Sequence, residues 1–176
     1  MLGALEELVA AGRIAAFGWS TDDPERAAAF GRSPHGVAVE HRLNLFEGDR
    51  RMLDVCEELG MASLNRTPLG MGLLSGAWNR ATRFAADDIR STWDLESEPG
   101  RRMDAVEDLR GLLTADGATV AQGALRWLLS VSPRTVPLPG IRTVAQATEN
   151  AGAMRFAPFD AATLARIEEL ASPIRV

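Results

Sequence analysis

GRIAAFGWSTDDPERAAAFGRSPHGVAVE, residues 12–40, holds one complete strand–helix–strand unit. Gly12 suits the end of a preceding helix, and Arg13 to Trp19 reads as a buried strand. Ser20-Thr21-Asp22-Asp23-Pro24-Glu25 then offers capping hydroxyls and carboxylates, a proline near the first turn, and acids at the positive end of the helix dipole. The helix it opens runs through Arg26 to Phe30 and stops near Gly31, and Gly36–Glu40 is the next strand.

The same alternation continues on both sides. A helix carrying Glu6, Leu8 and Val9 precedes Gly12. After Glu40, Gly48-Asp49 leads into a helix with Met52, Leu53, Cys56 and Leu59 at helical spacing, ending at Gly60, and Met61–Leu64 is a third strand. Residues 66–101 have glycines, a proline, mixed charge and a weak period, which predicts a cofactor or lid loop with one helical turn. Helices are expected over Met103–Leu113 and Thr119–Val131, a fourth strand over Thr135–Leu138, and a helix over Thr143–Met154. Asp160 caps a last helix with apolar positions Leu164, Ile167 and Leu170. Short strands that are apolar on both faces, alternating with helices, predict a parallel sheet in an α/β fold. Four such units are half of an eight-unit barrel, and 176 residues are too few for a whole one, which takes about 250. The chain is expected to form one domain, residues 1–176.

Composition narrows the function. The chain is 46% hydrophobic and 24% charged, so a sizeable core is expected and disorder is not. A net charge of −5 argues against a general nucleic-acid binder but leaves room for one phosphate-sized basic pocket. All 19 basic residues are arginine, and the chain has no tyrosine, so no chemistry needing a lysine amine or a tyrosine phenol can come from it alone. One cysteine, Cys56, makes neither an internal disulfide nor a cysteine metal cage. No apolar stretch approaches a membrane span, and the first residues lack signal-peptide regions, so a cytoplasmic protein without membrane contact is expected.

In parallel α/β folds the ligand site lies at the carboxyl ends of the strands. Here those positions are Ser20-Thr21, Glu40 with His41 and Asn44, Asn65 to Gly76, and Pro139 to Asn150. In the third group, TPLGMGLLSG (67–76), small residues let the backbone approach a ligand and turn N–H groups toward a phosphate. In the fourth, Pro139-Gly140-Ile141-Arg142-Thr143 sets a glycine, an arginine and a hydroxyl at a helix start, where an anion is favoured. His41 reads as a structural histidine, His35 as exposed, Cys56 as a small buried hydrophobe and Trp127 as core; Trp78 and Trp93 stay open between lid and pocket.

Three phrases, GRIAAFGWS (12–20), TPLGMGLLSG (67–76) and VPLPGIRTVAQATENAGAM (136–154), resemble the aldo/keto reductase superfamily, in its bacterial and potassium-channel-β-subunit-like branches. The resemblance runs from about Leu5 to Leu170 and matches the C-terminal half of that family's (β/α)8 barrel of the TIM type. It implies an NADPH site. Ser20 and Glu40 would hold the nicotinamide carboxamide, and Pro68, Leu69, Gly70, Gly72 and Leu74 would wrap the pyrophosphate. Gly140, Ile141 and Arg142 would contact the adenosine ribose and its 2′-phosphate, with Gln146, Glu149 and Asn150 around the adenosine end.

The family's Asp, Tyr, Lys and His come from the first half of the barrel, so the resemblance assigns no catalytic residue here, and no metal. Thr21, Glu40 and Arg66 depart from the family's usual Asn, Gln and aromatic ring. The expectation is an NADP-binding half of an oxidoreductase acting on aldehydes or ketones, inactive alone. A regulatory nucleotide-binding module, or a structural partner that completes a barrel with itself or with an N-terminal half-barrel chain, are the competing classes.

Overall fold

The computed structural model describes residues 1–175. Helix α1 (Leu2–Ala10) leads to strand β1 (Phe17–Ser20), helix α2 (Pro24–Gly31), strand β2 (Gly36–Arg42), helix α3 (Arg51–Leu59) and strand β3 (Ala62–Arg66). Helices α4 (Glu98–Leu113) and α5 (Val120–Val131), strand β4 (Thr135–Pro137) and helices α6 (Val144–Gly152) and α7 (Ala161–Ala171) complete the chain. The strands form one sheet in the order β1-β2-β3-β4, every pair parallel. Helices follow strands as the alternation predicts, and the caps explain where they begin. Asp23 accepts from the amides of Glu25 and Arg26, Thr119 and Gln122 form a reciprocal capping box, and Asp160 accepts from Thr163.

Four boundaries differ from the sequence reading for reasons the structure shows. The first strand begins at Phe17 and not at Arg13. Gly12 is left-handed, and the amides of Ala11, Gly12 and Arg13 bond back to α1 carbonyls at 2.8–2.9 Å, so pairing starts only where Phe17 reaches the His35 carbonyl at 3.0 Å. Strands β2 and β3 run two residues past their apolar runs. His41, Ser63 and Asn65 sit on the covered face and bond to one another, leaving only Asn65 Oδ1 of the three without a partner: His41 Nε2 lies 2.7 Å from Ser63 Oγ, to which Asn65 Nδ2 donates at 2.8 Å. Helix α4 starts at Glu98, inside the expected loop, because Ser97 is extended and Pro99 occupies the first turn. The rest of that loop carries two 3₁₀ segments, Gly70–Ser75 and Ile89–Thr92, where one turn was expected.

The core lies on one side of the sheet. The larger cluster joins Leu43, Leu45 and Phe46 after β2 to α4, α5 and α7, around fully buried Trp127 and Ile167. A smaller one joins α2 and α3 to Val39 and Met61. Phe17 and Trp19 also face the helices, with ring centroids 5.1 and 5.4 Å from that of Phe30. The other face is left uncovered by the described residues. Gly18 and Ser20 are exposed there, Ala38, Glu40, Ala62 and Leu64 are half-buried, and Val136 is 43% exposed. No helix among the described residues is long and apolar enough to cross a membrane.

Candidate functional site

A cleft of about 590 Å³ opens at the carboxyl ends of β3 and β4, within the range of small-molecule sites. One wall is the loop after β3. Thr67, Gly70, Met71, Gly72 and Gly76 all have positive φ, so the chain coils tightly. The amides of Gly70, Gly72 and Leu74 bond to the carbonyls of Thr67, Leu69 and Leu69 at 2.9–3.1 Å. These three glycine-loop amides are therefore closed within the turn. The loop offers a ligand close approach, while the donors anticipated from these amides point inward. A Cβ on Gly72, at φ +100°, would overlap the Trp78 ring.

Trp78 belongs to the second wall, a flap over 77–97 that carries its own aromatic cluster. Its ring meets Phe84 at 5.0 Å and Trp93 at 6.3 Å, edge-on. The Arg90 guanidinium lies 4.3 Å from the Trp78 ring centroid, donates to the Met71 carbonyl at 3.2 Å and pairs with Asp88. Hydrogen bonds from Arg90 hold the Asp88 carboxyl down to about 2, helped by the nearby positive charge of Arg142.

The third wall is the loop before α6. Thr143 caps that helix by accepting from the Gln146 amide at 3.2 Å, and Gln146 Oε1 accepts from the Arg142 amide at 2.8 Å. Gly140 leaves open space, with no atom within 4 Å of where a Cβ would stand. Arg142 is exposed, and its guanidinium has no salt-bridge partner among the described residues.

Of the residues anticipated from sequence, Pro68, Leu69, Gly72, Gly140, Arg142, Gln146 and Glu149 line this one cleft. Gly70 and Leu74 lie behind it, the Leu74 side chain fully buried in the core. Ile141 is exposed. Asn150 is buried, and its Nδ2 has no partner; Thr67 Oγ1, at the cleft, is in the same condition. Ser20 and Glu40 are register partners on the uncovered sheet face, lining a separate hollow of about 160 Å³ with Gly18, Ala38 and Leu64. Arg66 pairs with Asp22 at the rim of the sheet. The sequence reading missed Ala77, Arg90 and Leu138 as lining residues, although its own alternative for Trp78 included a pocket role. Arg90 carried no local signal, since its place comes from the fold of the flap.

The remaining titratable candidates are structural. Cys56 is buried, and burial pushes its thiol up to about 11. His41 is 1% exposed, and burial pushes its imidazole down from 6.5 to about 4. The folded value lies below the unfolded one, so the unfolded chain takes up the proton first. The stability contributed by neutral His41 is complete above about pH 6.5 and is lost as the pH falls toward 4, on the order of 3 kcal/mol over that window. Urea midpoints measured from pH 7 to 4.5 should fall, and His41→Gln should lessen the fall. An identical acid limb in both proteins would show that His41 does not set it. Among the described residues no cluster of three or more His, Cys, Asp or Glu could hold a metal ion.

Comparison with known proteins identifies the family and the fold. The model of the Aldo/keto reductase family matches residues 1–172. An aldo-keto reductase of Schizosaccharomyces pombe, whose name specifies NADP(+), is 30% identical over 176 residues, covering 96% of this chain and 52% of that protein. An aldo-keto reductase of Strobilurus tenacellus is 28% identical over 161 residues, with 86% and 47% covered. Among solved structures, the glycerol dehydrogenase of Gluconobacter oxydans superposes with a TM-score of 0.83 at 25% identity, covering 98% of this chain and 54% of that one. The apo aldo-keto reductase of Bacillus halodurans gives 0.67 at 22% identity, over 96% and 55%. The chain thus spans about half the length of the relatives it matches. Its parallel four-stranded sheet with outer helices corresponds to half of their TIM-type barrel. By family model, sequence and fold, the chain belongs to the aldo/keto reductase family.

Proposed function

We propose that this chain is the NADP(H)-holding half of an aldehyde or ketone oxidoreductase and does not transfer hydride by itself. The observation that carries the reading is the single cleft in which two separate sequence phrases, 67–76 and 136–154, face each other. The residues fit the cofactor. Gly140 leaves room for close approach, Arg142 brings a guanidinium with no salt-bridge partner among the described residues, and the buried Oγ1 of Thr67, at the cleft, has no partner. NADPH, when bound, supplies the hydride for a carbonyl carbon.

The chain's own residues bind and orient. Arg142 holds the 2′-phosphate beside Gly140 and Ile141, and Pro68, Leu69 and Gly72 border the pyrophosphate, with Gly70 and Leu74 shaping the loop behind them. Gln146, Glu149 and Asn150 surround the adenosine end. Ser20 and Glu40 face the carboxamide, where the Glu40 carboxylate accepts from the amide NH2 and cannot donate to its carbonyl. No group is set to protonate a carbonyl oxygen as the family does, because the chain has neither tyrosine nor lysine, and His41 lies on the helix side of the sheet.

Calorimetric titration with NADPH should give a saturable heat, while NADPH with a panel of aldehydes should show no consumption above buffer. A flat titration overturns the site. Cofactor-dependent turnover that persists after contaminating reductases are removed overturns the inactivity.

A further inference from the structure

A basin of about 570 Å³ lies at the carboxyl ends of β1 and β2 and shares no lining residue with the cleft. Three elements build it. The loop after β1 brings Asp22, the end of β2 and the loop after it bring Arg42, Glu47 and Asp49, and the first turns of α4 bring Glu98 and Arg102. Gly48, at φ +115°, folds the second loop back so tightly that a Cβ there would stand 2.4 Å from the Arg42 carbonyl oxygen. That glycine lets Glu47 and Asp49, on either side of it, both reach the basin.

The lining presents both signs of charge, and they balance. Asp22 pairs with Arg66, Asp49 with Arg51, and Glu47 and Glu98 both with Arg102. His41, also in the lining, is neutral at pH 7 and adds no charge. A ligand of one sign would therefore meet repulsion as strong as its attraction. The hydrogen bonds, in contrast, do not balance. The Arg102 side chain is 9% exposed; its Nη1 lies 3.3 Å from Glu47 Oε1 and its Nη2 donates to Glu98 Oε1, but its buried Nε has no partner. A buried donor of a charged group without an acceptor is costly, and the basin is the open space that Arg102 borders. Glu98 has the opposite want: it is half exposed and engages Arg102 through one oxygen, leaving the other open to a donor.

We infer that the basin binds a free α-amino acid as a zwitterion, with its carboxylate on Arg102 and its ammonium on Glu98. Spacing selects the class. Glu98 and Arg102 stand one helical turn apart on α4 and touch each other, so the two charged groups of the ligand must also lie close together. A single carbon between carboxylate and ammonium meets that condition, whereas a longer zwitterion holds its charges too far apart to serve both.

Calorimetric titration of the chain at pH 7 with the proteinogenic α-amino acids, without NADP(H), tests the inference independently of the cofactor reading. At least one amino acid should bind one-to-one with a saturable heat. Its N-acetyl derivative, its methyl ester and 4-aminobutyrate should each bind at least about 10-fold more weakly, since each loses a charge-assisted hydrogen bond. Glu98→Gln and Arg102→Gln should each weaken the amino acid by about 10- to 150-fold. Arg102 is buried, so a thermal melt checks that its variant folds, and the half-exposed Glu98 carries the test where it does not. Added NADPH should leave the amino-acid affinity unchanged. The absence of saturable heat with every amino acid overturns the inference. So does equal binding of a blocked derivative, an unchanged affinity in Glu98→Gln, or displacement by NADPH, which would put the amino acid in the cleft.

Discussion

Arg142→Ala should weaken NADPH binding by about 10- to 150-fold and leave NADH binding nearly unchanged, since charge-assisted hydrogen bonds are worth roughly 1.5–3 kcal/mol. The 2′-phosphate distinguishes the two cofactors, and it brings nearly two negative charges. In the structure the Arg142 side chain stands beside the open backbone at Gly140 and the start of α6, with no carboxylate pairing it. Its backbone amide bonds to Gln146, so truncating the side chain leaves the loop's own fastening in place. Calorimetry on the two proteins with each cofactor measures the effect. Equal losses for NADPH and NADH would mean that the guanidinium supports the loop and does not read the phosphate.

Trp127→Ala should lower stability by about 3–5 kcal/mol, which in a chain of this size is a fall in melting temperature of about 6–20 °C. The ring has no exposed surface and lies at the centre of the larger core cluster. It also organises charge: its Nε1 donates to Glu168 Oε1 at 3.0 Å, and the Arg50 guanidinium lies 4.7 Å from its ring centroid. Glu168 in turn pairs with Arg50 and with Arg175, whose Nε donates to the Leu45 carbonyl at 3.1 Å. Removing the ring leaves a cavity beneath these partly buried ions. Trp127→Phe keeps most of the volume and loses the Nε1 bond, so its cost should be nearer 1 kcal/mol. A shift under 2 °C for the alanine variant in a thermal melt would remove Trp127 from the centre of the core.

Helix positions were legible because their signals are local. Asp23 with Pro24, Thr119 with Gln122, and Asp160 each announce a helix start through bonds made within three residues. The ends of β2 and β3 were not, because His41 and Asn65 look like loop residues until Ser63, on the strand beside His41 and two residues before Asn65, supplies a partner to both. The candidate site divides in the same way. Gly140, Arg142 and the loop at Pro68 stand out in their own phrases, while Arg90 reaches the cleft only because three aromatic rings fold the flap around it. Sequence also anticipated free amides at Gly70 and Gly72. Tight coiling closes them instead, since the same positive φ that brings the backbone near a ligand turns each N–H toward a carbonyl three residues back.

The flap has a kinetic consequence. Phe84, Trp78 and Trp93 pack edge-on in a cluster separate from the main core, and Arg90 bolts that cluster to the Met71 carbonyl. A segment with its own small core swings as one piece, where an unstructured loop would fray residue by residue. Ligand arrival and departure through this mouth would then share a single gate, and loosening the bolt at Arg90 would speed both rates together while leaving their ratio, the equilibrium affinity, much less changed.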